Sequence, residues 1–421
     1  MASSRIVELA NLISTNTKKI DEYLRSQGKP SPSFDIDIPV DLGLPVESEI
    51  DQTRLDAIQA SVELQDLLQG PLSLVCPTTY NLTALELIYR LDIPSKFPIG
   101  EEISYPRLAE LCGLYEPNLR RILRHGMAYH HAFCEPRKGF VAHTAASRLL
   151  AENSDVRDGL GVNFDGNWRM FARTVDALIQ FDNSQEPNES AFNLANNTNK
   201  PVYEYLAEKP ELARRFAGAM RSMQTHVAHP PIFLVEKYPW GKLGDATVVD
   251  VGGSEGHITV ELAKKYPSLS FVVQDRPEVI EDAQAKGSIP SDFTDRITLM
   301  SHDFFTEQPV KADVYLFRYI FHNHSDPYAL KIIKNLIPAL KSGAKVLISD
   351  HVLPEPNTLP LMAERNIRGM DLLMLTMQNS RERELDEFIG LFKEADKRFE
   401  FRQIQVAEGT ATATIEMVWD A

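Results

Sequence analysis

Cysteine is scarce in this chain: Cys76, Cys112 and Cys134 are the three among 421 residues. The number is odd and the spacing fits no metal-ligand pattern, so reduced thiols in a cytoplasmic protein are expected rather than a disulfide framework. No run of about 18 apolar residues occurs, which argues against a membrane-spanning helix. The N-terminus mixes polar with apolar residues and lacks the unbroken apolar block of a signal peptide. Positive charge is also short: 44 Lys and Arg stand against 59 Asp and Glu, a formal net charge of −15. That disfavours a nucleic-acid partner, which needs a basic face to neutralise phosphates. No internal repeat or low-complexity tract is present. What remains is a globular composition, 43% hydrophobic and 24% charged, in a chain too long for one typical core, so two domains are expected.

The N-terminal third reads as helical. Ile6, Leu9, Leu12, Ile13, Ile20 and Leu24 are spaced for an amphipathic helix over 6–26. Residues 28–49 are proline-rich and aperiodic, a linker draped over a surface. Helical patterns follow over 48–68 and 81–91. Residues 104–145 look like a winged helix-turn-helix, with one short helix stopped at Gly113, a second over EPNLRRILRHGMAYH and a ribbon over CEPRKGFVAHT. Arg120, Arg121 and Arg124 invite a DNA-recognition reading. The acidic total and the neighbouring Leu119, Ile122 and Leu123 favour a structural or dimerising role. Residues 146–240 are mostly helical, with a long helix through Met220 and Met223 that serves either core packing or a ligand wall.

The organising stretch is TVVDVGGSEGHITVELAKKYPSLSFVVQD, Thr247 to Asp275. An apolar run, a glycine turn, a helix-like segment, a second apolar run and an acid make a βαβ unit of the kind that holds a nucleoside. Further strands are expected at 297–300, 313–317, 345–349, 399–406 and 412–419, with helices near 279–285, 328–340 and 384–395. The first five of the seven strands alternate with helices, as a parallel doubly wound sheet requires. The last two are close enough to form an antiparallel hairpin at one side.

Four groups of residues can carry chemistry. The turn at Gly252, Gly253 and Gly256 is G-G-x-x-G rather than the stricter dinucleotide motif, and suits an unphosphorylated nucleoside such as S-adenosylmethionine. Asp275 can accept from two ribose hydroxyls. In SHDFF, Asp303 and Phe304 can grip an adenine, or form an Asx turn beside a buried aromatic pair. His322 in RYIFHNHSDPY falls at the carboxyl end of the fourth strand, where such sheets bind ligands, and an imidazole suits a general base. His324 lies two residues on, but no third ligand follows at regular spacing, so no metal site is expected. Asp350 and Glu382 can orient the base, although NSRERELDEF by itself reads as a solvated helix start.

As an ordered set, VVDVGGSEGH, FVVQDRP, HDFF, LFRYIFHNHSDPYALKIIKNLIPALKSGAKVLISDHVLPEP and MDLLMLTMQNSRERELDEF resemble the caffeate- and flavonoid-type O-methyltransferases, more closely their fungal secondary-metabolite branch. The resemblance covers roughly residues 75–421. It implies an α/β fold: a Rossmann-like seven-stranded sheet over 156–421 and an α-helical winged-helix dimerisation domain over 1–155. It also implies S-adenosylmethionine as cofactor and a homodimer. By position, Gly252 falls in the cofactor loop, Asp275 at the ribose, Asp303 and Phe304 at the adenine and Arg318 near the cofactor. His322 matches the catalytic base, and Asp350 and Glu382 the acids beside it. The chain departs from the family's H-D-W-x-D in carrying Asn323 and His324. That departure keeps open a second expectation, a methyltransferase-like pericyclase or dehydratase that binds the cofactor without consuming it. Trp168, Phe171, Met220, Met223, Met370 and Met374 are candidate substrate-pocket residues. His130, His131 and Phe133 are others, with buried structural roles as the alternative.

Overall fold

The computed structural model describes residues 3–45, 48–76, 80–226, 232–356, 358–407 and 410–420. The chain divides into two compact units, one of residues 1–165 with 211–223, the other of residues 166–210 with 224–421.

In the first unit, helices Arg5–Ser26 and Glu49–Val75 pack on each other, joined by an Arg5–Glu63 ion pair. The second helix was expected to stop at Leu68. It breaks at Gly70 instead, whose φ of +73° precedes Pro71, so the helical ladder is interrupted rather than ended. The aperiodic linker does drape over its neighbours: Phe34 stacks on His131, and the carbonyl of Ile38 accepts from Arg148. Helix Tyr105–Cys112 is capped by Gly113 in the left-handed region, and helix Glu116–His130 follows. Strands β1 (Glu102–Ser104), β2 (Cys134–Arg137) and β3 (Phe140–Ala142) form a small antiparallel sheet in the order β1-β3-β2. Ile88, Tyr105, Leu108, Leu119, Leu123 and Val141 make the core beneath it. Arg120 pairs with Glu116 and Arg124 with Glu135, so two of the three arginines that invited a DNA reading are neutralised within the chain. Residues 211–223 join this unit through Arg214–Asp158 and Arg221–Asp155 ion pairs.

The second unit carries the sheet that the sequence pattern predicts. Strands β4 (Thr247–Val251), β5 (Ser270–Asp275), β6 (Ile297–Ser301), β7 (Val314–Arg318), β8 (Lys345–His351), β9 (Phe399–Val406) and β10 (Thr412–Trp419) stand in the order β6-β5-β4-β7-β8-β10-β9. Strands β4 to β8 are parallel, and β10 runs antiparallel to both β8 and β9. The terminal pair is the expected hairpin, with the later strand placed inside the earlier one.

Alternation along the strands divides the core. Val249, Tyr315, Phe317, Val346 and Ile348 pack on one face with Ile332, Phe392 and Ile415. Val248, Leu316 and Leu347 pack on the other with Leu262, Phe271 and Trp240. Both faces are covered by apolar contacts, which is why these runs are near-continuously hydrophobic. Helices Pro277–Lys286 and Asp326–Leu336 begin two residues earlier than expected. Each carries proline in its first turn, where a missing N–H costs nothing. The latter helix tightens at Pro338 into a final 3₁₀ turn, Ile337–Ala339. No helix among the described residues is long and apolar enough to cross a membrane.

Candidate active site

The chain order runs outward from β4 through β5 to β6, then returns to place β7 on the other side of β4. Ligands in such sheets bind at the carboxyl ends of the strands where this reversal occurs. Val251 ends β4 there, and the N–H groups of Gly252 and Gly253 both donate to the carbonyl of Gln274 on β5, at 2.8 and 3.1 Å. Gly252 has a φ of +72°, and a Cβ on it would stand 2.5 Å from Ile320 Cδ1. A Cβ on Gly253 would stand 2.6 Å from the Asp250 carboxylate. The turn thus packs too closely against Ile320 and Asp250 to take a side chain at either glycine. Gly256 follows as the N-cap of helix His257–Lys265.

Asp275 closes β5 and is tied to the same turn: one oxygen accepts from Ser254 N–H at 2.9 Å and the other from Arg276 N–H at 2.8 Å. Each oxygen keeps a second lone pair for a ligand hydroxyl. Burial pushes this carboxyl up, against those two backbone bonds. Asp303 follows β6, and its Oδ1 accepts from Phe305 N–H at 2.9 Å, so the Asx turn does form. Phe304 and Phe305 lie edge-to-face, half-buried, with centroids 5.0 Å apart. Arg318, the last residue of β7, lies over the Tyr319 ring at 4.8 Å.

The chain turns sharply after β7. Tyr319 adopts a φ of +52°, a strained conformation for a bulky side chain, and a 3₁₀ turn, Phe321–Asn323, presents His322. The His322 backbone N–H donates to Asp350 Oδ2 at 3.2 Å. Its ring Nδ1 lies 3.1 Å from Glu382 Oε1 and 3.6 Å from Asp350 Oδ1. Burial pulls this imidazole down, and Asp350 and Glu382 outweigh it, raising it to about 8. Asp350 is itself pushed up by burial. Burial also acts upward on Glu382, but hydrogen bonds from His322 and His351 hold it well below the usual carboxylate range. A carboxylate bonded to Nδ1–H fixes the tautomer and leaves Nε2 as the acceptor.

The loop around Glu382 was expected to read as solvent-facing if taken alone, and it is the reverse. Glu382 and Arg383 are each 1% exposed. Arg383 donates to the carbonyls of Phe321 and His324, both at 2.7 Å, and pairs with Asp326. Its guanidinium therefore clamps the very turn that carries His322. The Glu382 backbone is held by Asp371, whose carboxylate accepts from it at 2.9 Å.

Two residues that break the expected motif are engaged locally. The Asn323 amide donates to the Tyr319 carbonyl at 2.8 Å, and its oxygen accepts from Gln378 at 2.5 Å and from Tyr203 at 3.4 Å. His324 meets the edges of Phe304 and Phe305 at 5.6 and 5.3 Å, and burial drives its pKa down to about 3. It is a neutral packing group against Phe304 and Phe305.

Sequence reasoning missed three participants. Asp250 lies buried in β4, takes a 2.7 Å bond from Thr259 and is pushed up to about 6 by burial. Its signal was an acid inside the apolar run TVVDV. Gln378 completes the Asn323 bridge. His351 ends β8 with Nδ1 3.2 Å from the same Glu382 Oε1. The fold thus brings ligand-type atoms of His322, His351 and Glu382 within 4.8 Å of one another, a grouping that regular spacing could not reveal. The two imidazole-to-carboxylate distances, 3.1 and 3.2 Å, are hydrogen-bond separations, and we read the cluster as a proton site. Of the pocket candidates, Met374 is buried beside Gln378, while Phe171 is exposed. Met220 belongs to the other unit, and the Met223 side chain lies outside the described residues. In the first unit, His130 bonds the Asn81 carbonyl, His131 stacks on Phe34, and Phe133 is buried in the core.

Comparison with known proteins follows the same lines. The profile of the O-methyltransferase domain matches residues 173–398. A grayanic acid biosynthesis cluster O-methyltransferase of Cladonia grayi is 49% identical, covering 99% of this chain and 88% of its own. A chlorophenol O-methyltransferase of Trichoderma longibrachiatum is 37% identical, covering 100% and 91%. Among solved structures, one described as a pericyclic reaction enzyme superposes with a TM-score of 0.71 at 22% identity, covering 98% and 100%, a likeness of fold alone.

Proposed function

Because the chain belongs to the S-adenosylmethionine-dependent O-methyltransferases, in the fungal secondary-metabolite branch, we propose that it methylates a hydroxyl of an aromatic or polyketide-type small molecule with His322 as general base. The cofactor is S-adenosylmethionine, which when bound supplies a methyl group made electrophilic by its sulfonium. The chain's own residues fit it. The turn at Gly252, Gly253 and Gly256 closes tightly after β4, since a Cβ at these positions would run into Ile320, Asp250 and Ile289. Asp275 offers its spare lone pairs to the ribose, Asp303 and Phe304 serve the adenine, and Arg318 stands close by.

A phenol, with a pKa of about 10, is a poor nucleophile at neutral pH. His322 takes its proton at Nε2 as the oxygen attacks, and Glu382 and Asp350 stabilise the imidazolium that results. General-base help of this kind is worth roughly 10²–10⁴-fold, and holding the acceptor in line within a water-poor site adds to it. The observation that carries this reading is the 3.1 Å bond from His322 Nδ1 to Glu382. The relative named for a chlorophenol supports a phenolic acceptor.

The engagement of Asn323 and His324 with neighbouring groups supports methyl transfer over the pericyclase reading, because the departure from H-D-W then needs no change of reaction. A homodimer is part of the proposal. Ile6, Val7 and Leu12 on the first helix and Leu67, Leu68, Leu72 and Val75 on the second are exposed apolar residues, a face that a second copy would cover. The test is to incubate the protein with methyl-labelled S-adenosylmethionine and a panel of phenols. A labelled ether and one equivalent of S-adenosylhomocysteine are expected, with His322→Gln slower by roughly 10²–10⁴-fold. Tight cofactor binding with no transfer to any phenol, or full activity in His322→Gln, overturns the proposal. Product without S-adenosylhomocysteine favours the pericyclase.

A further inference from the structure

His351 has no role in the mechanism above, yet it stands inside the same cluster. Glu382 Oε1 takes the Nδ1–H of His322 at 3.1 Å and that of His351 at 3.2 Å. Asp350 is shared as well: it accepts from the backbone N–H of both residues, at 3.2 and 3.0 Å. The other Glu382 oxygen, Oε2, is buried without a hydrogen-bond partner among the described residues, so both imidazoles draw on Oε1. The Tyr319 ring, held by its left-handed backbone, lies against both, with centroids 5.5 and 5.2 Å away. Two donors on one carboxylate oxygen divide its negative potential between them.

We propose that His351 is a positioning residue that sets the basicity of His322 by drawing on the same oxygen of Glu382. The other charged and titratable groups facing His322 make their hydrogen bonds elsewhere or are held neutral. Arg383 lowers His322 through its charge, but its hydrogen bonds go to the Phe321 and His324 carbonyls and to Asp326, and every variant below leaves them in place. His324 is held neutral by burial, and burial pushes the Tyr319 hydroxyl up. Asp350 and Glu382 remain, and His351 donates to both. The sign follows. Taking the donor away returns the full potential of Glu382 to His322 and raises its midpoint. The direction is the same if His351 is charged, because a neighbouring cation is then removed too. A stronger grip would push the pH at which His322 becomes free to act as a base still further above its present midpoint of about 8; His351 limits that rise. The catalytic consequence rests on the reading of His322 as base, but the coupling itself does not need turnover.

The experiment is a titration of the full chain labelled with ¹⁵N-histidine, with His322→Gln to assign the resonance. His351→Phe keeps a ring and removes the donor, and His351→Asn keeps a donor close to where Nδ1 stands. The His322 midpoint is expected to rise by about half to one unit in His351→Phe and to stay with the wild type in His351→Asn. Retained S-adenosylhomocysteine binding checks the fold, and His351→Met replaces the Phe variant should that ring not be accommodated. An unmoved or lowered midpoint in a donor-free variant that still binds S-adenosylhomocysteine overturns the inference. So does an Asn variant that shifts as far as the Phe variant. Failure of methyl transfer to every phenol, with the midpoint shift intact, would overturn the proposed function and leave the coupling standing.

Discussion

Replacing Glu382 with Gln removes one charge and almost no volume, so the variant isolates electrostatics. His322 stands near 8 against an ordinary 6.5. The difference, 8 − 6.5, is 1.5 units, about 2 kcal/mol at 1.36 kcal/mol per unit. Burial acts in the opposite direction, so the two carboxylates together supply more than that figure. With Glu382 neutral, Asp350 alone opposes burial, and the midpoint falls to about 6.5 or below. The imidazolium also loses a charge-assisted bond, worth about 1.5–3 kcal/mol, which lowers the plateau rate by roughly 10–150-fold. The assay is kcat/KM for a phenolic acceptor at saturating cofactor from about pH 5 to about pH 9. The acidic limb should move down in pH while the plateau drops. Folding provides a second readout. A base whose folded pKa is raised stabilises the fold fully below its unfolded value, and the gain is lost as pH rises through the folded value. Glu382→Gln should therefore lower Tm more at about pH 6 than at about pH 9. A limb that stays in place or moves up, in a variant that still binds S-adenosylhomocysteine, would refute the reasoning.

Gly252→Ala puts a Cβ 2.5 Å from Ile320 Cδ1 at a φ of +72°. Left-handed strain of about 1–2 kcal/mol and the clash together should weaken S-adenosylhomocysteine binding by at least about tenfold in calorimetry, and unchanged affinity would mean the turn is not a tight cradle. Asn323→Asp restores the acid of the family motif but sets a carboxylate oxygen against the Tyr319 carbonyl that Asn323 now bonds. A loss of about 1–3 kcal/mol in denaturant unfolding with no gain in rate is expected; a faster enzyme would show that the departure had cost activity. Methyl transfer should survive dialysis against EDTA, and activity lost to the chelator but restored by a divalent ion would replace the proton-site reading with a metal site.

The sheet was legible because buried parallel strands are continuous apolar runs, and TVVDV, SFVVQ and VYLF stand out between helical patterns. The order of the last two strands was not, since nothing local says that β10 rather than β9 pairs with β8. His322 was legible from its place after a strand. Its supports were less so. Asp350 ends an apolar strand and invites attention, but the two charges Glu382-Arg383 look solvated, because short-range pattern cannot see that Arg383 finds carbonyls at 321 and 324. His351 was invisible for the same reason: its link to Glu382 crosses 31 residues. Asn323 registered as a defect in a motif, and its meaning appears only once the Tyr319 carbonyl and Gln378 lie beside it.

The reversal of strand order after β6 has a consequence for how such a protein can change. The glycine turn, Asp275 and Asp303 follow β4, β5 and β6, whereas Arg318, His322 and Asp350 belong to the ends of β7 and β8, with Glu382 further along the chain. On the proposed reading, most contacts to the nucleoside and the handling of the proton fall on separate stretches of sequence that meet along one seam, between β4 and β7, with Arg318 carried on the later one. On that reading, a lineage can exchange one acceptor for another by altering the stretch beyond Arg318 while the glycine turn, Asp275 and Asp303 pass down untouched.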